Sequence, residues 1–257
     1  MKKAFLNVLI FICIATFLVC AFILGRYLIA SMQAEKTVEE LKGDLVNGQP
    51  AMDVDNYAIR QEQLLKLKEI NSDLVGWIYI PDTRVNYPVM HTPDDQDFYL
   101  HRDFFKNESR SGTLFLSAIS DMDAPTDIII IYGHMMKTGT MFGDLKKYDD
   151  KSFWEKHSGI RVDTLEEERN YEIFSVFKTA VDTGKTNEFR YYDYSDFQDE
   201  TDFDSFIKRT REKQLFDTGL SPEYGDRMLL LSTCEYSQEN GRLIVLAVEI
   251  KKEKDKS

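Results

Sequence analysis

A chain of 257 residues with 32 basic and 44 acidic side chains has a formal net charge of −12, and its 43% hydrophobic content is that of a globular protein with room for one domain and an appendage. With Gly 13, Pro 6 and Cys 3 over this length, collagen-like, low-complexity and disulfide-stapled classes are excluded. The acid excess, without a Lys/Arg run longer than two, argues against nucleic acid as a partner.

Residues 1–30 hold Lys2, Lys3 and Arg26 and no acid, which leaves 29 basic against 44 acidic groups in the rest of the chain. From Ala4 to Gly25 the only clearly polar residues are Asn7 and Thr16. At about 1.5 Å per residue such a helix spans roughly 33 Å, enough for a bilayer's hydrocarbon core. A cleavable signal peptide is the competing reading. The apolar run exceeds the usual ~7–15-residue signal core, and no small-x-small cleavage site precedes Arg26. Lys2 and Lys3 place the N-terminus in the cytoplasm, so everything after about residue 30 is expected outside the cell. Cys13 and Cys20 fall within the apolar run, leaving Cys234 as the sole exported thiol, inert or kept for its reactivity.

Residues 31–55 are read as a stalk or short first helix, with Val38, Leu41 and Leu45 at helical spacing before Gly48-Gln49-Pro50 breaks it. A second helix over about Asn56 to Asn71 sets Leu64, Leu65, Leu67 and Ile70 on one broad face. Strands follow: Val75 to Ile80 and Val85 to Met90 around a Pro81-Asp82-Thr83 turn, then Gly112 to Leu116, Asp127 to Tyr132, Ile160 to Thr164, Tyr171 to Val181, Arg227 to Ser232 and Leu243 to Ile250. The run Ile128-Ile129-Ile130-Ile131 reads as a strand buried on both faces, and Tyr171 to Val181 as one with a wet face. Helical insertions are expected over Gly143 to His157 and Asp202 to Gln214. The set predicts a mainly β protein, a closed or nearly closed eight-stranded barrel over 56–250, with 251–257 as a disordered tail.

The four histidines, His91, His101, His134 and His157, have no metal-ligand spacing, and no glycine-rich phosphate loop is present. No metal or cofactor is expected. His134 follows the apolar strand directly, Cys234 ends another, and Arg242 opens the next, so a thiol, an imidazole and a guanidinium converge. A thiolate attacks a carbonyl, an imidazolium protonates the leaving amine, and a fixed cation stabilises the oxyanion. Singly, each residue has a plainer reading: a core cysteine, a hydrogen-bonded histidine, a surface ion pair.

Leu231-Ser232-Thr233-Cys234, Tyr132-Gly133-His134 and Arg242 resemble, in that family's His, Cys, Arg order, the catalytic segments of class B sortases, membrane-anchored cysteine transpeptidases of Gram-positive bacteria. Leu230 stands where that family commonly has Thr. Asn86-Tyr87-Pro88-Val89, Asp97-Phe98-Tyr99-Leu100 and the 202–214 helix extend the resemblance, the helix favouring class B over class A. The resemblance implies that Cys234 attacks the Thr carbonyl of a C-terminal sorting motif, of NPxTG or NPQTN type, in a secreted protein. A thioester then passes to an amine of a peptidoglycan precursor or cross-bridge. His134 would be acid, then base. Arg242 would hold the substrate backbone or the oxyanion, and the amide of Glu235 would complete the oxyanion hole. Leu100, Tyr132, Tyr191, Tyr192, Ser232 and Glu235 are the substrate-groove candidates by resemblance, and His91 and His101 are taken as structural. The competing functions are a surface cysteine endopeptidase, in which water resolves the thioester, and a membrane-tethered binding domain with Cys234 buried.

Overall fold

The computed structural model describes residues 2–123, 126–181, 184, 189–235 and 240–251; most of the segment read as a disordered tail lies outside them. The chain divides into two compact units, one to Glu40 and one from Leu41 onward.

The first unit belongs to α1 (Lys2–Leu41). Phe5–Arg26, 22 residues, is long and apolar enough to cross a membrane by length and composition. Phe11, Phe17 and Phe22 are exposed along it. Its polar Thr16 returns its hydroxyl to the Ile12 carbonyl at 2.9 Å, so the helix satisfies that group internally, as a hydrocarbon environment requires.

The helix ends at Leu41, earlier than the spacing of Leu45 suggests. Asn47 and Gly48 both take positive φ (53° and 85°), the two-residue turn that joins β1 (Leu45–Val46) to β2 (Gln49–Pro50). The hairpin claims Leu45 before a helix can. α2 (Tyr57–Ile70) is capped by Asn56, whose side chain accepts from the Ala58 amide at 3.0 Å. Its buried residues are Arg60, Gln63, Leu64 and Leu67, whereas Leu65 and Ile70 of the expected apolar face are exposed. The register turns on Arg60, wholly buried, which donates to Asp163 at 2.8 and 3.2 Å and also to Glu168, tying the helix to the barrel.

The expected strands are all present: β3 (Leu74–Tyr79), β4 (Asn86–Met90), β5 (Leu114–Leu116), β6 (Ile128–Tyr132), β7 (Gly159–Thr164), β8 (Glu168–Ala180), β9 (Met228–Glu235) and β10 (Gly241–Glu249). They close a barrel in the order β10-β8-β7-β3-β4-β5-β6-β9, with β4–β5 and β6–β9 parallel and the other pairs antiparallel. Ile128 to Ile131 is buried throughout, as its unbroken apolar run predicts. β8 departs from simple alternation: Ile173 to Phe177 is buried on both faces, because Phe174 and Phe177 join a cluster with Phe189, Tyr191 and Phe206 that covers the outer face. The single insertion expected over 143–157 is instead a 3₁₀ segment, Gly143–Asp149, followed by one turn, α3 (Lys151–Trp154). Asp150, extended and accepting from the Ser152 amide at 2.8 Å, ends one and caps the other. α4 (Glu200–Lys213) agrees closely with the expected second insertion; the Asp199 side chain accepts from the Asp202 amide, and Phe203, Phe206 and Ile207 face the barrel cluster.

Candidate active site

Alternation assigns the faces of the site strands. Ile128, Ile130, Met228, Leu230, Ile244 and Leu246 pack against Phe203, Phe206 and Ile207 of α4, so they lie outside the barrel, and the intervening Ile129, Ile131, Leu229, Leu231, Leu243 and Val245 fill its interior. One step further along the outer face the cover ends. There Tyr132, His134, Cys234 and Arg242 are half-buried.

In the parallel β6–β9 pair Tyr132 lies opposite Ser232, and the Gly133 amide donates to the Ser232 carbonyl at 3.2 Å. His134 and Cys234 therefore each lie two residues beyond a matched position, Cys234 still on β9 and His134 just past the end of β6. Only glycine fits at 133, since a Cβ there would strike the side chains of Leu114 and Phe142. Across the antiparallel β9–β10 pair Arg242 lies directly opposite Cys234, and Gly241 opposite Glu235. Opposed residues share a face, so Cys234 and Arg242 project beside one another on the side that carries Ser232 and Tyr132. Cys234 is a free thiol.

His134 Nε2 lies 2.8 Å from the Leu100 carbonyl oxygen. A carbonyl only accepts, so Nε2 carries a proton and donates it there. Burial lowers the His134 pKa from its ordinary 6.5; the Leu100 hydrogen bond opposes this and nearby His101 adds to it. Leu100, half-buried, thus meets the site through its backbone carbonyl. Arg242 donates to the Gly241 carbonyl at 3.0 Å. Its charge also reaches the hydroxyls of Tyr132 and Tyr191, restraining pKa values that burial raises, that of Tyr132 being pushed up to about 12. Tyr191 and Ser232 are buried with their oxygens 2.8 Å apart, each the other's partner. Tyr192 is half-buried and meets Tyr191 edge to face. Glu235 is half-buried 4.0 Å from the Lys178 ammonium.

Two neighbours escape the sequence reading. The His101 ring lies 5.9 Å from that of His134, and Ser117 hydrogen-bonds Tyr132. No spacing marks either, because both arrive from segments remote in sequence. Among the described residues no group of three His, Cys, Asp or Glu side chains is arranged to hold a metal ion.

Comparison with known proteins finds relatives of this chain. The family described as Sortase domain matches residues 78–250. Sortase B of Listeria monocytogenes is 32% identical over 187 residues, covering 72% of this chain and 73% of that one. Sortase B of Staphylococcus aureus is 35% identical over 191 residues, 74% of this chain and 75% of that one. The structure of a Staphylococcus aureus sortase B–substrate complex superposes with a TM-score of 0.73 at 28% identity, covering 87% of this chain and 99% of that chain.

Proposed function

The chain belongs to the sortase family and is a class B cysteine transpeptidase; from that membership we propose that Cys234 is its nucleophile, His134 the proton-exchanging partner and Arg242 the fixed cation at the reacting carbonyl. The observation that carries this assignment is the register that sets Arg242 opposite Cys234, beside a parallel β6–β9 pairing whose last matched pair, Tyr132 and Ser232, lies two residues before His134 and Cys234.

Cys234 passes its thiol proton to His134 Nδ1, and the resulting thiolate adds to the Thr carbonyl carbon of an NPxTG- or NPQTN-type motif. The negative charge that develops on the carbonyl oxygen is met by the Arg242 guanidinium and by the Glu235 amide. As the C–N bond breaks, the leaving amine takes a proton from His134, and a thioester remains on Cys234. His134 Nε2 is committed to the Leu100 carbonyl, so Nδ1 performs the exchange. A peptidoglycan precursor or cross-bridge amine then attacks the thioester, Nδ1 accepts its proton, and the thiolate departs. Tyr192, Tyr132 and the wall built by Leu100, Tyr191, Ser232 and Glu235 line the peptide's path beside the thiol.

The apolar Phe5–Arg26 helix and family membership support a membrane-anchored enzyme. We place residues 1–30 as cytoplasmic tip and anchor, 31–55 as stalk, 56–250 as the extracellular catalytic domain and 251–257 as tail. The test is incubation of the full chain in detergent with fluorogenic NPQTN and NPxTG peptides, with and without oligoglycine or a diaminopimelate-type amine, beside Cys234→Ala. Cleavage that needs Cys234, with an amine-ligated product by mass spectrometry, is the expected result. Cleavage that persists in Cys234→Ala removes the nucleophile assignment, and a hydrolysed product alone in the presence of amine makes the protein an endopeptidase.

A further inference from the structure

The segment that leaves His134 doubles back at once. Met135 bridges Met141, the Phe142 amide donates to the His134 carbonyl at 3.0 Å, and a Cβ on Gly143 would run into the Met136 carbonyl. Against this loop lies a cavity of about 730 Å³ whose charged lining is Arg84, Lys137, Lys146 and Lys147 against one carboxylate, Asp144. In a chain of net charge −12 such a convergence of cations needs a reason.

The cavity is built before any ligand arrives. Asp144 accepts from the Arg84 amide at 3.0 Å and from the Lys147 ammonium at 2.9 Å, while the Arg84 guanidinium donates to the Thr138 carbonyl. Asp144 therefore offsets Lys147 and pins the loop. Lys137 and Lys146 are left with no hydrogen bond or ion pair to a described residue. Mutually repelling cations gathered around a concave site are relieved by an anion with several oxygens, to which ammonium and guanidinium groups make charge-assisted hydrogen bonds. Met135 and Met136 give the same cavity an apolar side, and its volume falls in the range of small-molecule sites.

We infer that this cavity binds a phosphate-bearing ligand, a diphosphate or phosphate ester, one residue beyond His134. The inference stands on the cavity and its charges, independent of the role assigned to Cys234. A ligand there touches the loop whose Phe142 amide donates to the His134 backbone carbonyl.

The test is calorimetric titration of the full chain in nonionic detergent, at fixed ionic strength, with inorganic pyrophosphate and separately with dihexanoyl phosphatidic acid below its micellar concentration. Saturable binding of either at one site is expected. Lys137→Glu with Lys146→Glu should weaken it by about tenfold or more, the change expected from reversing two unpaired charges. Lys208→Glu on α4 should leave it unchanged, and Cys234→Ala should bind like the unaltered chain even as transfer is lost. Tighter pyrophosphate binding identifies a soluble phosphate as the source, and tighter phosphatidic acid binding a lipid headgroup. Binding of neither, or binding that survives the double change, overturns the inference. Lys137→Gln alone, an exposed side chain without a described partner, serves where the double variant fails to fold, and unaltered affinity there overturns it equally.

Discussion

Cys234 and Arg242 face one another across two strands, and that places a specific demand on the cation. A guanidinium offers a planar fork of donors with a permanent charge, whereas an ammonium at the same site is a point charge that reaches one acceptor at a time. Arg242→Lys should therefore lower kcat/KM by about 100-fold, or about 2.7 kcal/mol of transition-state stabilisation, with little change in Tm, as peptide cleavage and thermal melts would record. A strand-opening surface ion pair would instead leave the rate intact. Burial keeps the His134 pKa below 6.5, so the folded state takes up this proton less readily than the unfolded chain. The stability associated with the neutral ring is thus complete above 6.5, declines as the pH falls through 6.5, and levels off beneath the folded pKa. Denaturant unfolding at pH 7.5 and 5 should show the unaltered chain losing stability relative to His134→Asn on acidification; the opposite trend would mean that the ring is held charged. The Tyr191–Ser232 pair is coupled in another way. Ser232→Ala strands a buried phenol, at a cost of about 1–3 kcal/mol, whereas adding Tyr191→Phe removes the stranded group, so the double change should cost less than the two single losses combined.

At the scale of elements, the connection between α2 and the barrel rests on Arg60, buried against Asp163 and Glu168. Removing Asp163 leaves a buried guanidinium with one remaining carboxylate, so Asp163→Ala should destabilise the chain by about 3 kcal/mol, read from denaturant unfolding. A loss under about 0.5 kcal/mol, the usual size for an exposed pair, would show that solvent reaches Arg60. This same residue explains where sequence reading fails. Hydropathy ranks Arg as a surface residue, so the apolar pattern pulls the buried face of α2 toward Leu65 and Ile70, which are exposed. The strands were legible because each is a short apolar or alternating run between turn residues, and the type of turn at Asn47-Gly48 is equally a local property. For the site, local sequence places His134, Cys234 and Arg242 at strand ends. It does not contain the adjacency of β6 and β9, whose parallel pairing needs a crossover of nearly a hundred residues. The Leu100 carbonyl and the His101 ring are unreadable for the same reason: tertiary packing delivers them from a 3₁₀ turn over Phe98–His101.

At the scale of the whole molecule, charge and hydropathy divide the chain into two environments. The first thirty residues hold basic groups alone, and the rest carries 29 basic against 44 acidic side chains. An apolar helix with Lys2 and Lys3 ahead of it favours insertion with those lysines on the cytoplasmic side, and the acidic remainder has no basic surplus to retain it there. The cysteines supply a direct readout of that orientation. Cys13 and Cys20 lie within the Phe5–Arg26 span, whereas Cys234 lies on β9, half-buried at the end of a sheet where solvent meets it. A charged methanethiosulfonate that does not cross membranes should consequently label intact cells at Cys234, and the Cys234→Ala chain should stay unlabelled because a bilayer excludes the charged reagent from the other two thiols. The inverted orientation gives the reverse pattern, with no labelling until the cells are broken open. Labelling of Cys234 in intact cells, together with release of the chain by detergent and not by alkaline carbonate, would put the thiol on the side of the membrane where secreted proteins and wall amines meet.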